Sequence, residues 1–349
     1  MASLKDLVTA QNIAAYWEEK NKNVQPLLGE TLFPKKKRLG TKLEWIKGAN
    51  NQPVALRPSS YDAKAIRRDR QGLDQYTTTM PFFKESKYID EEMRQDLNNV
   101  IASNNTEVVN AILTNIYDDV SSLIDSSDVA LERMRMEMLT TGTITLSANG
   151  QSFDYDYQLD TANQFINVPT SWSNVDADII GDIVKAVEDA KVRGITLTRA
   201  ICNASVAKYF RTNTAIKNAV YVFANGTVPV TTARAIDYIY NETGVRFYVY
   251  DNVYVSESDG SAVKYIPNDT VVLMADGDLG YTNMGTTPEE SDLINNLNAQ
   301  VAVVNGGVAV TTSQTVDPVN TETKVSMVAL PSFEKANNVV IIDTLHKSM

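Results

Sequence analysis

Residues 106–142 read TEVVNAILTNIYDDVSSLIDSSDVALERMRMEMLTTG, and their apolar positions recur at helical spacing. Val108, Val109, Ile112, Leu113, Ile116, Val120, Leu123 and Ile124 form one stripe, which Leu131, Met134 and Met138 continue. Asn105 or Thr106 is placed to cap the first exposed N–H groups, and Glu107 suits the positive helix end. Gly142 suits the left-handed turn that closes such a helix. Roughly 34 residues would make a rod of about 50 Å, long for a globular protein. The run Asp125-Ser126-Ser127-Asp128 is expected to bend or interrupt it. The stretch predicts a structural spine.

What surrounds it is large and soluble in composition. A chain of 349 residues with 43% hydrophobic content suffices for two domains with real cores. No stretch approaches the roughly 18 apolar residues of a membrane span. The start, MASLKDLVTAQNIAAYW, lacks the basic flank and apolar block of a signal peptide. Cys202 is the single cysteine, so no internal disulfide forms and a reducing compartment fits. Net charge is −11 but unevenly spread. Residues 1–76 hold 14 Lys/Arg against 8 Asp/Glu, and the remainder 18 against 35. A basic front and an acidic body suit contacts between molecules, although a merely uneven solvated surface gives the same count.

Before the spine, residues 1–39 read as an arm: a short helix near LKDLVTAQNIAAYWEEK, then a segment kept extended by Pro26 and Pro34. Its Lys35-Lys36-Lys37-Arg38 run lacks interleaved aromatics, so a solvated basic turn is favoured over a nucleic-acid tail. Over residues 42–88, short alternating runs separated by NNQ, PSSYD and QGLD predict long β-hairpin strands that must rest on something else. Residues 89–104 form a helix leading into the spine. After Gly142, TITLSANGQSFDYDYQL predicts a hairpin turning at Asn149-Gly150. From Asp176 the pattern is α/β: helices at 176–194, 204–219 and 231–244, and strands at ITLTRAICN and RFYVYDNVYV. VAVVNGGVAVTT, KVSMVALPSF and NVVIIDTL supply the final strands.

Catalytic chemistry finds no support in these residues. His346 is the single histidine and lies near the end of the sequence, which removes His-based triads and His-rich metal sites. Cys202 sits in the predicted strand RAICN, where a buried small hydrophobe is the natural reading. Neither GxxxxGK[ST] nor GxGxxG occurs. Asp276-Gly277-Asp278 lacks the spaced ligands of a calcium loop. No catalytic, cofactor-binding or metal-binding residue is assigned, and the chain is not read as an enzyme.

The order of arm, β-hairpin extension, spine helix, α/β body and returning strands resembles the tailed-phage major capsid proteins of the Hong Kong ninety-seven fold. It is most similar to the lambda major capsid protein E family. LTTGTITLSANGQSFDYDY and SWSNVDADIIGDIV carry local likeness, and the block from TGVRFYVYDNVYV to GTTPE, with Ile266-Pro267-Asn268-Asp269, carries most. The resemblance spans about residues 24–345.

It implies an α+β capsid fold: an N-terminal arm at 1–39, an extended E-loop at 40–88, a peripheral domain at 89–160 with 310–335, and an axial domain at 161–309 with 336–349. The implied function is a major capsid protein whose copies form pentamers and hexamers of an icosahedral shell around packaged double-stranded DNA. That places it in the virion, and in the bacterial cytoplasm during assembly. A separate scaffold protein and a portal are implied, a decoration protein is left open, and no membrane or cofactor is involved. The DNA would be enclosed with little specific binding, because an acidic body grips phosphates weakly. An encapsulin-like nanocompartment shell is the alternative with the same fold. In this fold the E-loop lies over an adjacent subunit's spine. Lys64, Arg67, Arg68 and Arg70 would then meet Asp118, Asp119, Asp125, Asp128 and Glu132 between subunits.

Overall fold

The computed structural model describes residues 8–47, 74–89, 91–102, 106–148, 151–221, 229–256, 259–294, 300–314 and 320–345. It divides into two compact units. The first holds 1–44, 77–135 and 281–332, and the second 45–76, 136–280 and 333–349.

The spine is one continuous helix, Thr106–Thr141, of 36 residues. The expected interruption at Asp125–Asp128 does not arise. The hydroxyls of Ser122, Ser126 and Ser127 donate to the carbonyls of Asp119, Ser122 and Ile124 at 2.6, 2.9 and 2.6 Å, so these serines bond within the helix instead of competing with it. The stripe is buried from Leu113 onward, whereas Val108 stays 40% exposed. Toward the C-terminal end burial extends around the helix and takes in Glu132, Arg135, Met136 and Leu139. Gly142, at φ 77°, closes the helix with its N–H on the Met138 carbonyl at 2.9 Å. Asn105 lies outside the described residues.

In the first unit the arm forms a helix at Ala10–Asn21, capped by the Thr9 hydroxyl, which accepts from Asn12 N at 3.2 Å. Between the two prolines the chain makes a short helix, Leu28–Leu32, where an extended run was expected. The strands of this unit are β1 (Lys35–Lys37), β4 (Phe82–Ile89), β13 (Tyr281–Met284), β14 (Gln300–Val304), β15 (Val308–Gln314) and β16 (Thr321–Ser332). Their order is β1-β13-β16-β15-β14, with β4 on the other side of β16. β1 runs parallel to β13 and the remaining pairs are antiparallel. β13 and β14 thus both lie in the first unit's sheet, whereas the sequence reading ran the axial body to residue 309. A helix, Glu91–Ala102, precedes the spine.

Gly285 follows β13 and packs where no side chain fits. An added Cβ would lie 2.7 Å from the Gly40 carbonyl oxygen and 2.8 Å from Val328 Cγ1. Thr287 and Pro288 then start the helix Pro288–Ile294, with the Thr287 hydroxyl accepting from Glu290 N at 3.2 Å. Gly285→Ala is expected to destabilise by about 1–3 kcal/mol through overpacking, read as a lower urea midpoint. An unchanged midpoint would show that the Gly40 backbone yields freely.

A separate ribbon pairs β2 (Lys42–Lys47) with β3 (Asp74–Thr79). In the second unit, β5 (Thr143–Ala148) and β6 (Gln151–Asp156) form a hairpin in register Ala148↔Gln151. The expected Asn149-Gly150 turn lies outside the described residues. The main sheet has order β7-β17-β12-β8-β9, from β7 (Phe165–Asn167), β17 (Val339–Asp343), β12 (Thr270–Met274), β8 (Arg199–Cys202) and β9 (Arg246–Val249). Helices Ile179–Val192, Ala204–Thr212, Thr214–Val220 and Thr232–Thr243 start at Asp178, Asn203, Asn213 and Thr231, whose side chains each cap a backbone N–H. Trp172, Phe210 and Phe247 lie in this unit's apolar core.

The predicted strand RFYVYDNVYV is split. Asp251 interrupts it, because its carboxylate accepts from Ala204 N at 3.1 Å and from Lys264 Nζ at 2.7 Å. The chain resumes as β10 (Val253–Val255), paired with β11 (Ala262–Lys264).

Candidate intersubunit surface on the spine

The acids expected to reach a neighbouring subunit project from the part of the spine in the first unit. Each has a partner in its own chain. Asp118 accepts from the Tyr16 hydroxyl at 2.9 Å and from Lys20 Nζ at 2.7 Å. The Lys20 bond, then the Tyr16 bond, hold its carboxyl below the usual range. Asp119 takes Lys87 Nζ at 2.5 Å, and Asp125 takes the Trp17 indole N–H at 2.7 Å. Asp128 takes Lys35 Nζ at 2.9 Å and the Asn305 amide at 2.8 Å. Glu132 accepts from Gly29 N at 2.9 Å and sits 3.5 Å from Arg135 Nη1.

These contacts differ in depth. Lys20–Asp118 and Lys87–Asp119 are exposed pairs, which contribute little individually. The side chains of Glu132 and Arg135 are 0% and 1% exposed. Arg135 Nε donates to the Thr282 hydroxyl at 2.8 Å, and that hydroxyl donates to the Phe33 carbonyl at 2.8 Å. At Gly29 a Cβ would collide with the Glu132 carboxylate. The acidic row of the spine therefore fastens the chain's own arm and β4. Lys64, Arg67, Arg68 and Arg70 lie outside the described residues.

Nor is the Lys35–Arg38 run a solvated turn. Lys35–Lys37 form β1, an edge strand among the described residues, Arg38 follows it, and all four head groups are engaged. Lys35 bonds Asp128 and, at 2.5 Å, Asn305. Lys36 lies 4.9 Å over the Tyr281 ring. Lys37 pairs with Glu290 at 2.5 Å, and Arg38 Nε donates to Asn283 at 2.6 Å. Lys20, Lys35 and Trp17 escaped the sequence reading as spine partners. The basic front and acidic body were the available signal, but nothing local links residues 93–108 positions apart.

Cys202 is buried in β8, and burial pushes its thiol up to about 12. Near neutral pH the folded chain is expected to resist a thiol reagent and to take up one equivalent only on unfolding. Labelling at the full rate without denaturant would show that the second unit opens. Asp276 accepts from Gly277 N at 2.8 Å, and the Gly277 carbonyl accepts from Arg199, so the DGD segment is a turn tied to β8. Among the described residues no three His, Cys, Asp or Glu side chains gather as metal ligands, and no helix is long and apolar enough to cross a membrane. His346 lies outside the described residues.

Comparison with solved structures gives the same architecture along almost the whole chain. A putative capsid protein of a prophage in Escherichia coli CFT073 matches with TM-score 0.59 at 13% identity, covering 96% of this chain and 99% of that one. A phage-related protein from Bordetella bronchiseptica RB50 matches at 0.55 and 11% identity, with 97% of each chain covered. The capsid of cyanophage A-1(L) matches at 0.52 and 13%, covering 92% and 93%. At such identities the likeness speaks to the fold, which is the Hong Kong ninety-seven type. No curated protein matches the sequence. The model of one family, described as phage major capsid protein E, matches residues 9–344. The chain belongs to that phage major capsid protein E family.

Proposed function

We propose that many copies of this chain close into the icosahedral head shell of a tailed phage, around packaged double-stranded DNA. The observation that carries this is the family match over residues 9–344, which takes in both compact units. Assembly is the activity: apolar burial and complementary charge at repeated contacts replace chemistry. The first unit, with most of the spine and the long strand β16, serves as the peripheral domain. The second serves as the axial domain, meeting copies of itself in pentamers and hexamers.

A scaffold protein and a portal act in the host cytoplasm during assembly, and a decoration protein is compatible with the finished virion. A net charge of −11 suits a container that holds DNA without gripping its phosphates. Lys64, Arg67, Arg68 and Arg70 lie over a neighbouring spine in this reading. There Asp118 and Asp119, with side chains 46% and 62% exposed, are open to second partners while Glu132 is not. The family match favours this reading over a nanocompartment with protein cargo.

Electron microscopy of the purified chain, expressed with the scaffold encoded beside it, tests the proposal. Closed shells of uniform diameter are expected. A chain that remains monomeric under those conditions would sink it.

A further inference from the structure

β4 has an open edge. It pairs with β16 on one side, and among the described residues nothing pairs with its other side. The register identifies the groups on that edge. The Val328 carbonyl accepts from Gly285 N at 2.7 Å, so Val328 turns its backbone away from β4. Ala329 N, one residue on, donates to the Pro81 carbonyl. Phe82, opposite Val328, is thus in a non-hydrogen-bonded pair, and by the strand's alternation so are Lys84, Ser86 and Tyr88. The N–H and C=O groups of these four residues point along the open edge. Phe82 and Tyr88 are also 44% and 58% exposed. A free edge of this length is a template for another strand.

The charges on β4 select the partner. The strand reads Phe82-Phe83-Lys84-Glu85-Ser86-Lys87-Tyr88-Ile89. Take a second copy laid antiparallel about a two-fold axis through Ser86, normal to the sheet. Glu85 then opposes Lys87 of the second copy, twice by symmetry, and Lys84 opposes Tyr88. In the same register Ser86 meets Ser86, and Lys84 meets Tyr88, through outward-facing backbone groups. Ladder and side-chain faces therefore close together. Centring on Glu85 or on Lys87 would instead set like charges opposite each other. We propose that β4 pairs edge to edge with β4 of a second copy about Ser86, joining two sheets across a two-fold axis. This rests on the shell reading and names one contact within it. Lys87, already on Asp119 of its own spine, gains Glu85 of the second copy as another carboxylate.

Cysteine trapping tests the pairing. In this register the two Ser86 Cα atoms lie about 5.5 Å apart, within disulfide range. Cys202 is buried and contributes no competing thiol. Assembled particles of Ser86→Cys are expected to give a disulfide-linked dimer on oxidation, and those of Lys84→Cys none. A charge experiment reads the same contact without trapping. Glu85→Lys and Lys87→Glu chains each oppose like charges and should assemble about fivefold less well alone, whereas their mixture restores opposite charges and co-assembles. Ordered particles that yield no Ser86→Cys dimer overturn the pairing and leave the shell reading intact. Should Ser86→Cys fail to assemble, a mixture that shows no rescue overturns it instead. A wild-type chain that forms no particles removes the shell reading, and this contact with it. If the lysines on β4 only keep the edge open to solvent, neither the dimer nor the rescue is seen.

Discussion

Arg135→Met is expected to destabilise the folded chain by about 3–5 kcal/mol, the usual result of removing one partner from a buried ion pair. The Arg135 guanidinium is buried, and burial draws its pKa down, while the carboxylates of Glu132, Glu30 and Asp128 oppose that shift. Its hydrogen bond to Thr282 ties the spine to β13, while its ion-pair partner Glu132, one turn back on the same helix, holds Gly29 of the arm. Methionine fills a similar volume but removes the positive charge beside a carboxylate that is itself fully buried. The double variant Glu132→Gln/Arg135→Met should recover much of the loss, because an amide oxygen still accepts from Gly29 N and no buried charge remains. Urea unfolding of the unassembled chain measures both. Equal losses in the single and double variants would show that packing, and not the charge, sets the cost.

The spine was legible because helical periodicity is local. Ile116, Val120, Leu123 and Ile124 fall on the stripe and are buried, and Gly142 adopts the left-handed turn its position suggested. The supposed break at Asp125–Asp128 was a local inference defeated by distant partners. Trp17 and Lys35 satisfy the two aspartates, and the serines bond back to the helix. The same distance hid the role of Lys35–Arg38. A run of four cations looks solvated in sequence, yet its first three residues, as β1, lie parallel to a strand some 247 residues further on. Parallel pairing of that kind leaves no periodic or turn signal. Asp251 was unreadable for a similar reason: an aspartate between two aromatic-rich runs shows its strand-breaking role only once Ala204 N and Lys264 are beside it.

Ile116→Asp is the second substitution expected to have a large effect, at several kcal/mol. Ile116 and Val120 are one helical turn apart, 6% and 3% exposed, on the part of the spine that belongs to the first unit. A carboxylate there would leave water for an apolar surrounding, with Asp118 and Asp119 close by in sequence adding like charge. Burial raises the folded-state pKa of such a group above its unfolded value. The sign follows directly: the penalty is least below the unfolded pKa, where both states are protonated. It grows as pH rises through the folded pKa and is complete above it. Ile116→Val, which removes one methyl group, should cost about 0.5–1.5 kcal/mol at every pH. Comparing the urea midpoints of the two variants across the acid range therefore separates lost packing from buried charge. An Asp variant that matches the Val variant at neutral pH would mean that this stripe faces water and not a core.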